Sequence, residues 1–334
     1  MTDKVLLQVN DLTKFYPIQQ GLSRRAAGTV HAVDSVSFEV KQGECLGLVG
    51  ESGCGKTTVA RCILKLIEPT SGQITLHAPQ TDLEITTADG KEVRQLRRWL
   101  QMIFQDPFAS LDPRWTVGNI IAEPLIAQGI SRREAEQRVA EVLPLAGLGT
   151  HFSNRYPHEL SGGERQRVGI ARAIVVNPLL IVADEPVSAL DVSVRAQIVN
   201  LLLELQERLG LSYIFIAHDL SIVKHISDRI GVMYLGQIVE IGSRDQVFTQ
   251  LMHPYTEALL MSVLTPVPDE RGISYVLEGD VPSPINPPTG CRFASRCRFA
   301  QAQCREQSPD LRDMGGGHLV RCHFAGELEL IRAN

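Results

Sequence analysis

Gly50-Glu51-Ser52-Gly53-Cys54-Gly55-Lys56-Thr57 is the segment whose residue types and spacing carry the most chemistry. It fits G-x-x-x-x-G-K-[ST], with an apolar run from Cys45 to Val49 before it and a helix-forming stretch from Thr58 to Leu66 after it. The pattern predicts a strand, a phosphate-wrapping loop and a helix. Glycines let the backbone close around phosphate oxygens, while consecutive N–H groups and the helix N-terminus supply positive potential. In that frame Lys56 reaches the β- and γ-phosphates, Thr57 ligates Mg²⁺, and Thr58 completes the nucleotide-contacting set. A second element, Leu179 to Glu185, reads as a buried strand ending in two carboxylates. Asp184 suits Mg²⁺ held through water, and Glu185 suits the polarisation of water attacking the γ-phosphorus. Together the two elements define a P-loop nucleoside triphosphatase.

Further residues narrow the class. Leu160-Ser161-Gly162-Gly163-Glu164-Arg165-Gln166 offers a hydroxyl, two glycines that permit close backbone approach, and a helix from about Glu164 to Val176 with its positive end toward a phosphate. This segment resembles the signature of the ATP-binding cassette (ABC) family, and it occurs with the phosphate loop, Asp184-Glu185 and His218 in that family's order. The resemblance covers about residues 5 to 260. It implies that Gln105, in Phe104-Gln105-Asp106-Pro107, touches Mg²⁺ and the attacking water, and that His218 contacts the γ-phosphate. It implies that Ser188-Ala189-Leu190-Asp191 crosses between paired ATPase domains, and that Tyr16 stacks on adenine, with Phe15 beside it as an alternative. It also implies a head-to-tail pair, in which the phosphate loop of one domain and the signature of the other enclose each ATP.

The elements that must position these groups follow from pattern. From Val5 to about Gln80, short apolar runs alternate with turns and read as strands, with a polar surface loop from Gln19 to Gly28. From about Val93 to Asn177 the pattern turns helical, and Ser131 with Glu134 fits a capping box. Strand Leu179 to Ala183, helix Val194 to Leu209 and strand Tyr213 to Ala217 then alternate, as in a mostly parallel sheet covered by helices. The expected fold class is therefore α/β: an ABC-type P-loop ATPase domain over residues 5–260, with an antiparallel β part and a helical subdomain near 93–177.

Composition sets limits. The chain has 334 residues, 44% of them hydrophobic, and a formal net charge of -5, so no broad basic surface is available for a nucleic-acid backbone. No apolar stretch approaches the ~20 residues a membrane-spanning helix requires, and the N-terminus lacks the apolar core of a signal peptide. A cytosolic location is expected.

Beyond about Leu264 the composition shifts to Pro, Gly and polar residues, notably from Val281 to Pro288, which excludes a helix or a central strand there. Residues 261–334 are thus expected to form a Pro-rich linker and a short tail, small enough to need cross-links. His253-Pro254-Tyr255-Thr256-Glu257-Ala258-Leu259-Leu260 and the run from Leu277 to Cys291 resemble the C-terminal extension of bacterial dipeptide/oligopeptide permease ATPases, particularly the second of their two ATPase subunits. That resemblance implies peptide import at the cytoplasmic face of the inner membrane. The implied partners are a companion ATPase subunit, two transmembrane permease subunits and an external peptide-binding protein, with no nucleic acid. Nickel, glutathione, murein-peptide and antimicrobial-peptide importers use similar ATPases and remain alternatives, as does a soluble ABC ATPase without a membrane partner. The tail carries Cys291, Cys297, Cys304 and Cys322. Four thiolates suit tetrahedral zinc or a [4Fe–4S] cluster; the spacing lacks the close pairs common in structural zinc sites, and some ATPases the tail resembles carry a cluster.

Overall fold

A computed structural model describes residues 4–20, 25–79, 81–264 and 282–331. The chain opens with a long antiparallel hairpin, β1 (Val5–Gln20) and β2 (Arg25–Lys41), followed by β3 (Cys45–Val49) and α1 (Lys56–Ile63). The polar stretch expected as a loop from Gln19 to Gly28 is therefore mostly hairpin: Gln19 pairs with Ala26 and Ile18 with Gly28. Next come β4 (Ser71–His77), β5 (Asp82–Glu84), α2 (Gly90–Trp99) and β6 (Leu100–Ile103). Helices α3 (Val117–Ala127), α4 (Arg132–Leu145) and α5 (Gly162–Ile174) form the helical part, with short 3-10 turns between α4 and α5. The core resumes with β7 (Leu180–Asp184), α6 (Val192–Leu209), β8 (Ser212–Ile216), α7 (Leu220–Ile226), β9 (Arg229–Tyr234) and β10 (Gln237–Ser243). Helices α8 (Arg244–Thr249), α9 (Pro254–Leu264) and α10 (Ala302–Glu306), then β11 (Arg312–Asp313) and β12 (Leu319–Val320), complete the order. Among the described residues no helix is long and apolar enough to cross a membrane.

The strands form two sheets, a four-stranded one ordered β2-β1-β4-β5 and an eight-stranded one ordered β11-β12-β10-β9-β3-β8-β7-β6. From β9 through β3, β8 and β7 to β6 every pairing is parallel; β10, β12 and β11 are antiparallel additions. Strands β3, β7 and β8 are buried along their whole length. Their alternate side chains feed two different cores: Cys45, Val49, Ile181, Ala183, Tyr213 and Phe215 join the helical layers. Leu46, Leu48, Leu180, Val182, Ile214 and Ile216 face α1 and the antiparallel sheet. Burial on both faces is what makes these strands continuous apolar runs in sequence and not alternating ones.

The strand β6 interrupts the zone whose pattern reads as helical, and only four residues carry it. The capping arrangement at Ser131 is half realised: its hydroxyl accepts from the Glu134 N–H at 3.3 Å and so caps α4.

The tail does not stand apart from the core. Strand β12 pairs with β10, Val320 opposite Glu240 and Leu319 opposite Ile241. The fully buried Glu240 carboxylate accepts from the backbone N–H groups of Met252 and His253 at 2.8 and 3.1 Å and lies 2.8 Å from Nε2 of His318. Phe293 is buried in the main core beside Tyr234 and Tyr255. The Pro-rich run is neither helix nor strand where described; it bridges Ile285 to Val30, beside a His31 N–H that donates to the Pro284 carbonyl at 3.0 Å. Its segment from Leu277 to Val281, which helped mark the tail's resemblance, lies outside the described residues.

Candidate nucleotide site

The loop from Gly50 to Gly55 joins the C-terminal end of buried β3 to the first turn of α1, so its backbone N–H groups gather at a helix start. Two of its glycines are demanded by geometry. Gly50 has φ +148 and a Cβ there would lie 2.1 Å from the Met233 carbonyl oxygen; Gly55 has φ +110 and a Cβ there would lie 2.2 Å from the Ala32 carbonyl oxygen. Both conformations disfavour any side chain, and both sites lack room for one. Gly53 also has positive φ, and Ser52 is exposed at the loop's outer side. The Lys56 ammonium curls into the loop, donating to the carbonyls of Gly50 at 2.7 Å and Glu51 at 3.0 Å, with Cys54 Sγ at 3.5 Å. Burial pushes the Cys54 thiol up, which keeps it protonated despite that cation.

Strand β7 delivers Asp184 beside this loop. Thr57 Oγ1 donates to Asp184 Oδ1 at 3.1 Å, bringing together the two residues expected to share Mg²⁺ from positions 127 apart in sequence. Burial raises the Asp184 pKa, opposed by the Thr57 hydrogen bond and reinforced by the neighbouring Glu185 charge. The Arg61 and Lys56 charges favour the ionised form that desolvation disfavours, and a cation bound directly to the carboxylate would do so further. The residues present therefore fit a bound Mg²⁺. Thr57, Gln105 and Asp184 all line one cavity of about 590 Å³.

Glu185 follows on a left-handed backbone, φ +46, which is uncommon for a residue other than glycine. Its amide is fixed by the Ile216 carbonyl at 2.9 Å. Its Oε2 accepts from Gln105 Nε2 at 3.0 Å and lies 3.3 Å from Nδ1 of His218, so three expected active-site groups meet on one carboxylate oxygen. They arrive from three places: Gln105 from the segment after β6, Glu185 from the end of β7, and His218 from the end of β8.

The signature segment is elsewhere. Ser161 caps α5, its hydroxyl donating to Glu164 Oε2 at 2.7 Å while the Ser161 N–H donates to the same oxygen at 2.7 Å. Those bonds lower the Glu164 pKa. Ser161, Gly162, Gly163, Glu164 and Asp191 line a separate pocket of about 250 Å³. Gly163 is required there by close packing, since a Cβ would stand 2.7 Å from Val194 Cγ1 on α6. Thr57, Gln105 and Asp184 lie in one pocket and the signature in another. Of the two candidate adenine-stacking aromatics, Phe15 packs its ring on His31 with centroids 4.0 Å apart, whereas Tyr16 is 40% exposed, with the Lys14 ammonium 4.9 Å from its ring.

Two contacts on the phosphate loop are invisible to sequence pattern. The Glu51 N–H donates to Tyr255 Oη at 2.9 Å, and the Glu51 carboxylate receives both terminal nitrogens of Arg296, at 2.8 and 3.1 Å. Tyr255 lies in the stretch that marks the tail's resemblance, but nothing in that stretch points to the loop. Arg296 has no signal beyond its place between two cysteines.

The four tail cysteines line one small, apolar cavity of about 20 Å³ together with His253 and Phe299. Burial raises the thiols of Cys297 and Cys322 to about 11 and that of Cys291 in the same direction. The metal centre expected from their number is not supported by ready-made ligand geometry: among the described residues no group of three or more His, Cys, Asp or Glu is arranged to hold a metal ion.

The ABC transporter family profile matches residues 33–188, and that of the oligopeptide/dipeptide transporter C-terminal region matches residues 239–304. Among solved structures, the fold is similar to the ATP-binding cassette MJ0796 in a dimeric state bound to ADP and Pi, at TM-score 0.62 and 29% identity, covering 72% of this chain and 99% of that one. It is also similar to cbiO1 of Clostridium perfringens, part of the cbiONQ transporter complex, at TM-score 0.62 and 27% identity, covering 74% and 91%. The parallel sheet, the phosphate loop and the separated signature thus define an ABC ATPase, as expected from the sequence. More particularly, the chain belongs to the family of oligopeptide/dipeptide transport ATP-binding proteins. It is 49% identical to the oligopeptide transport ATP-binding protein AppF of Bacillus subtilis over 96% of this chain and 98% of that protein. It is 51% identical to the putative oligopeptide transport ATP-binding protein YkfD of the same organism, over 89% and 90%.

Proposed function

We propose that this chain is the ATP-hydrolysing subunit of a peptide-importing ABC transporter, working at the cytoplasmic face of the membrane as one of two paired ATPase subunits. The observation that carries the reading is the division of its site. Thr57, Asp184, Gln105, Glu185 and His218 are assembled around one end of the sheet, while Ser161 to Glu164 line a pocket of their own. A chain holding both halves apart completes neither alone and needs a partner to close either.

In this mechanism the loop from Gly50 to Thr58 binds the phosphates, with Lys56 leaving the loop carbonyls for the β- and γ-phosphate oxygens. Tyr16 stacks on the base. Thr57 and Asp184, with Gln105, would hold Mg²⁺, which neutralises charge on the phosphates. Glu185 takes the proton of the attacking water; Gln105 and His218 hold its carboxylate in place, and His218 turns toward the γ-phosphate as the partner arrives. Ser161, Gly162, Gly163 and Glu164 of the partner cover the far side of the phosphates, with Asp191 across the seam. Closure on ATP and reopening after hydrolysis drive the two permease subunits, to which an external binding protein delivers peptide.

Cys291, Cys297, Cys304 and Cys322 line one small cavity, which supports a shared structural role for them in the tail; a [4Fe–4S] cluster or zinc held there would need the thiols to rearrange and ionise, since no three of them are set to hold a metal ion. Anaerobic purification with iron and acid-labile sulfide analysis tests for such a centre; folded protein free of iron, sulfide and zinc refutes it.

Pairing is tested with the Glu185→Gln chain and its companion subunit by size-exclusion chromatography. ATP with Mg²⁺ should shift them to a dimer that ADP does not support. Failure to associate with the companion or with a second copy would refute the divided-site reading.

A further inference from the structure

Arg296 reaches from the cysteine-bearing tail onto the phosphate loop. Its Nη1 and Nη2 donate to Oε2 and Oε1 of Glu51 at 2.8 and 3.1 Å, a two-pronged ion pair between residues 245 apart in sequence. The Arg296 side chain is only 6% exposed and Glu51 25%, and the guanidinium sits 6.0 Å from the Tyr234 ring. A forked, charge-assisted pair largely withdrawn from water is a different object from a solvent-screened surface pair, which would fix nothing. Its geometry is held on both sides. Tyr234 packs against Tyr255 and Phe293, and the Tyr255 hydroxyl accepts the Glu51 N–H at 2.9 Å. Glu51 is therefore gripped at its backbone and at its carboxylate by Tyr255 and Arg296, both C-terminal to the phosphate loop, the signature and His218.

The grip bears on the chemistry because the Glu51 carbonyl is one of the two that receive the Lys56 ammonium, at 3.0 Å. The path from tail to phosphate site thus runs from Arg296 through Glu51 to the loop backbone, to which the Lys56 ammonium is hydrogen-bonded here and which it leaves when it turns to the phosphates. We propose that Arg296 is a positioning residue for ATP: without touching the nucleotide, it sets the loop backbone from which Lys56 and the N–H groups meet the phosphates. The tail then serves as a brace for the ATP site. This rests on the reading of Gly50 to Thr57 as that site.

The test uses the full chain, with equilibrium binding of ATP and of its fluorescent trinitrophenyl analogue, and melting curves recorded in parallel. Arg296→Ala should weaken ATP binding by roughly tenfold, a size ordinary for coupling through a neighbouring residue. Glu51→Ala should weaken it similarly. The double variant should bind no worse than either single one, because both remove the same link. Arg296→Lys, which keeps the charge but not the fork, should fall between the unsubstituted chain and Arg296→Ala. A purely structural clip would lower the melting temperature and leave affinity unmoved below it. Binding within twofold of the unsubstituted chain in Arg296→Ala, Arg296→Lys and Glu51→Ala, with Lys56→Ala still losing ATP, overturns the positioning role alone. Unimpaired binding in Lys56→Ala overturns the site reading and the brace with it. Should Arg296→Ala not fold, Arg296→Lys and Glu51→Gln decide the matter by the same criterion.

Discussion

Replacing Glu185 with Gln preserves the side chain's size and leaves an oxygen that can still accept from Gln105, now 3.0 Å away, while removing the only feature a general base needs. The left-handed backbone at this position, φ +46, is no worse for Gln than for Glu, so the local fold should hold. A positioned base contributes roughly 10²- to 10⁴-fold to such a step, or about 3–5 kcal/mol of barrier. Nucleotide binding should survive, since it rests on the loop and on Asp184. It should even tighten slightly: the Glu185 charge contributes to the raised pKa of Asp184, and its loss favours an ionised Asp184 beside Mg²⁺. Phosphate release at saturating ATP, measured with equilibrium ATP binding on the same preparation, separates the two effects. Turnover within tenfold of the unsubstituted chain would refute the base assignment, and lost binding would show that Glu185 holds the nucleotide instead.

Gly55→Ala should distort the loop, because the new methyl meets the Ala32 carbonyl at 2.2 Å on a backbone with φ +110; a cost of about 1–3 kcal/mol is expected, read as a lower melting temperature with lost ATP binding. Thr57→Ala removes the hydroxyl 3.1 Å from Asp184 and should raise the Mg²⁺ concentration for half-maximal hydrolysis by at least about tenfold, whereas unchanged Mg²⁺ dependence would remove Thr57 from the metal site. Stability should fall on mild acidification. Desolvation lowers the pKa of buried His253 to about 3, while an unfolded histidine protonates near 6.5, so the unfolded chain binds the extra proton between those values. That contribution is complete above about pH 6.5 and is lost as pH falls toward 3; urea midpoints from pH 7 to 4 should drop less steeply in His253→Gln.

The phosphate loop, the Asp184-Glu185 strand end and the signature were legible because each is a contiguous segment whose local backbone explains its composition. Strands β3, β7 and β8 were equally plain, their unbroken apolar runs following from burial on both faces. The strand β6 was not, since four residues directly after a charged helix carry too little pattern. Strands β11 and β12 span two residues each and exist only because β10 offers an edge, so their pairing is a tertiary fact. The strand pairing of Ile18 to Gln20 with Arg25 to Gly28 was hidden by a polar composition that carries no apolar alternation. The grip of Arg296 and Tyr255 on Glu51 joins residues more than 200 positions apart, and no spacing rule reaches that far. The meeting of Gln105 and His218 on one Glu185 oxygen was expected only as three separate roles.

Coupling between hydrolysis and peptide is the most direct measure of the account. In proteoliposomes holding this chain, its companion ATPase, the two permease subunits and the peptide-loaded binding protein, ATP consumption should rise with peptide, and labelled peptide should accumulate. Both should vanish when this chain carries Glu185→Gln. Hydrolysis indifferent to peptide, with no accumulation by the assembled complex, would contradict it.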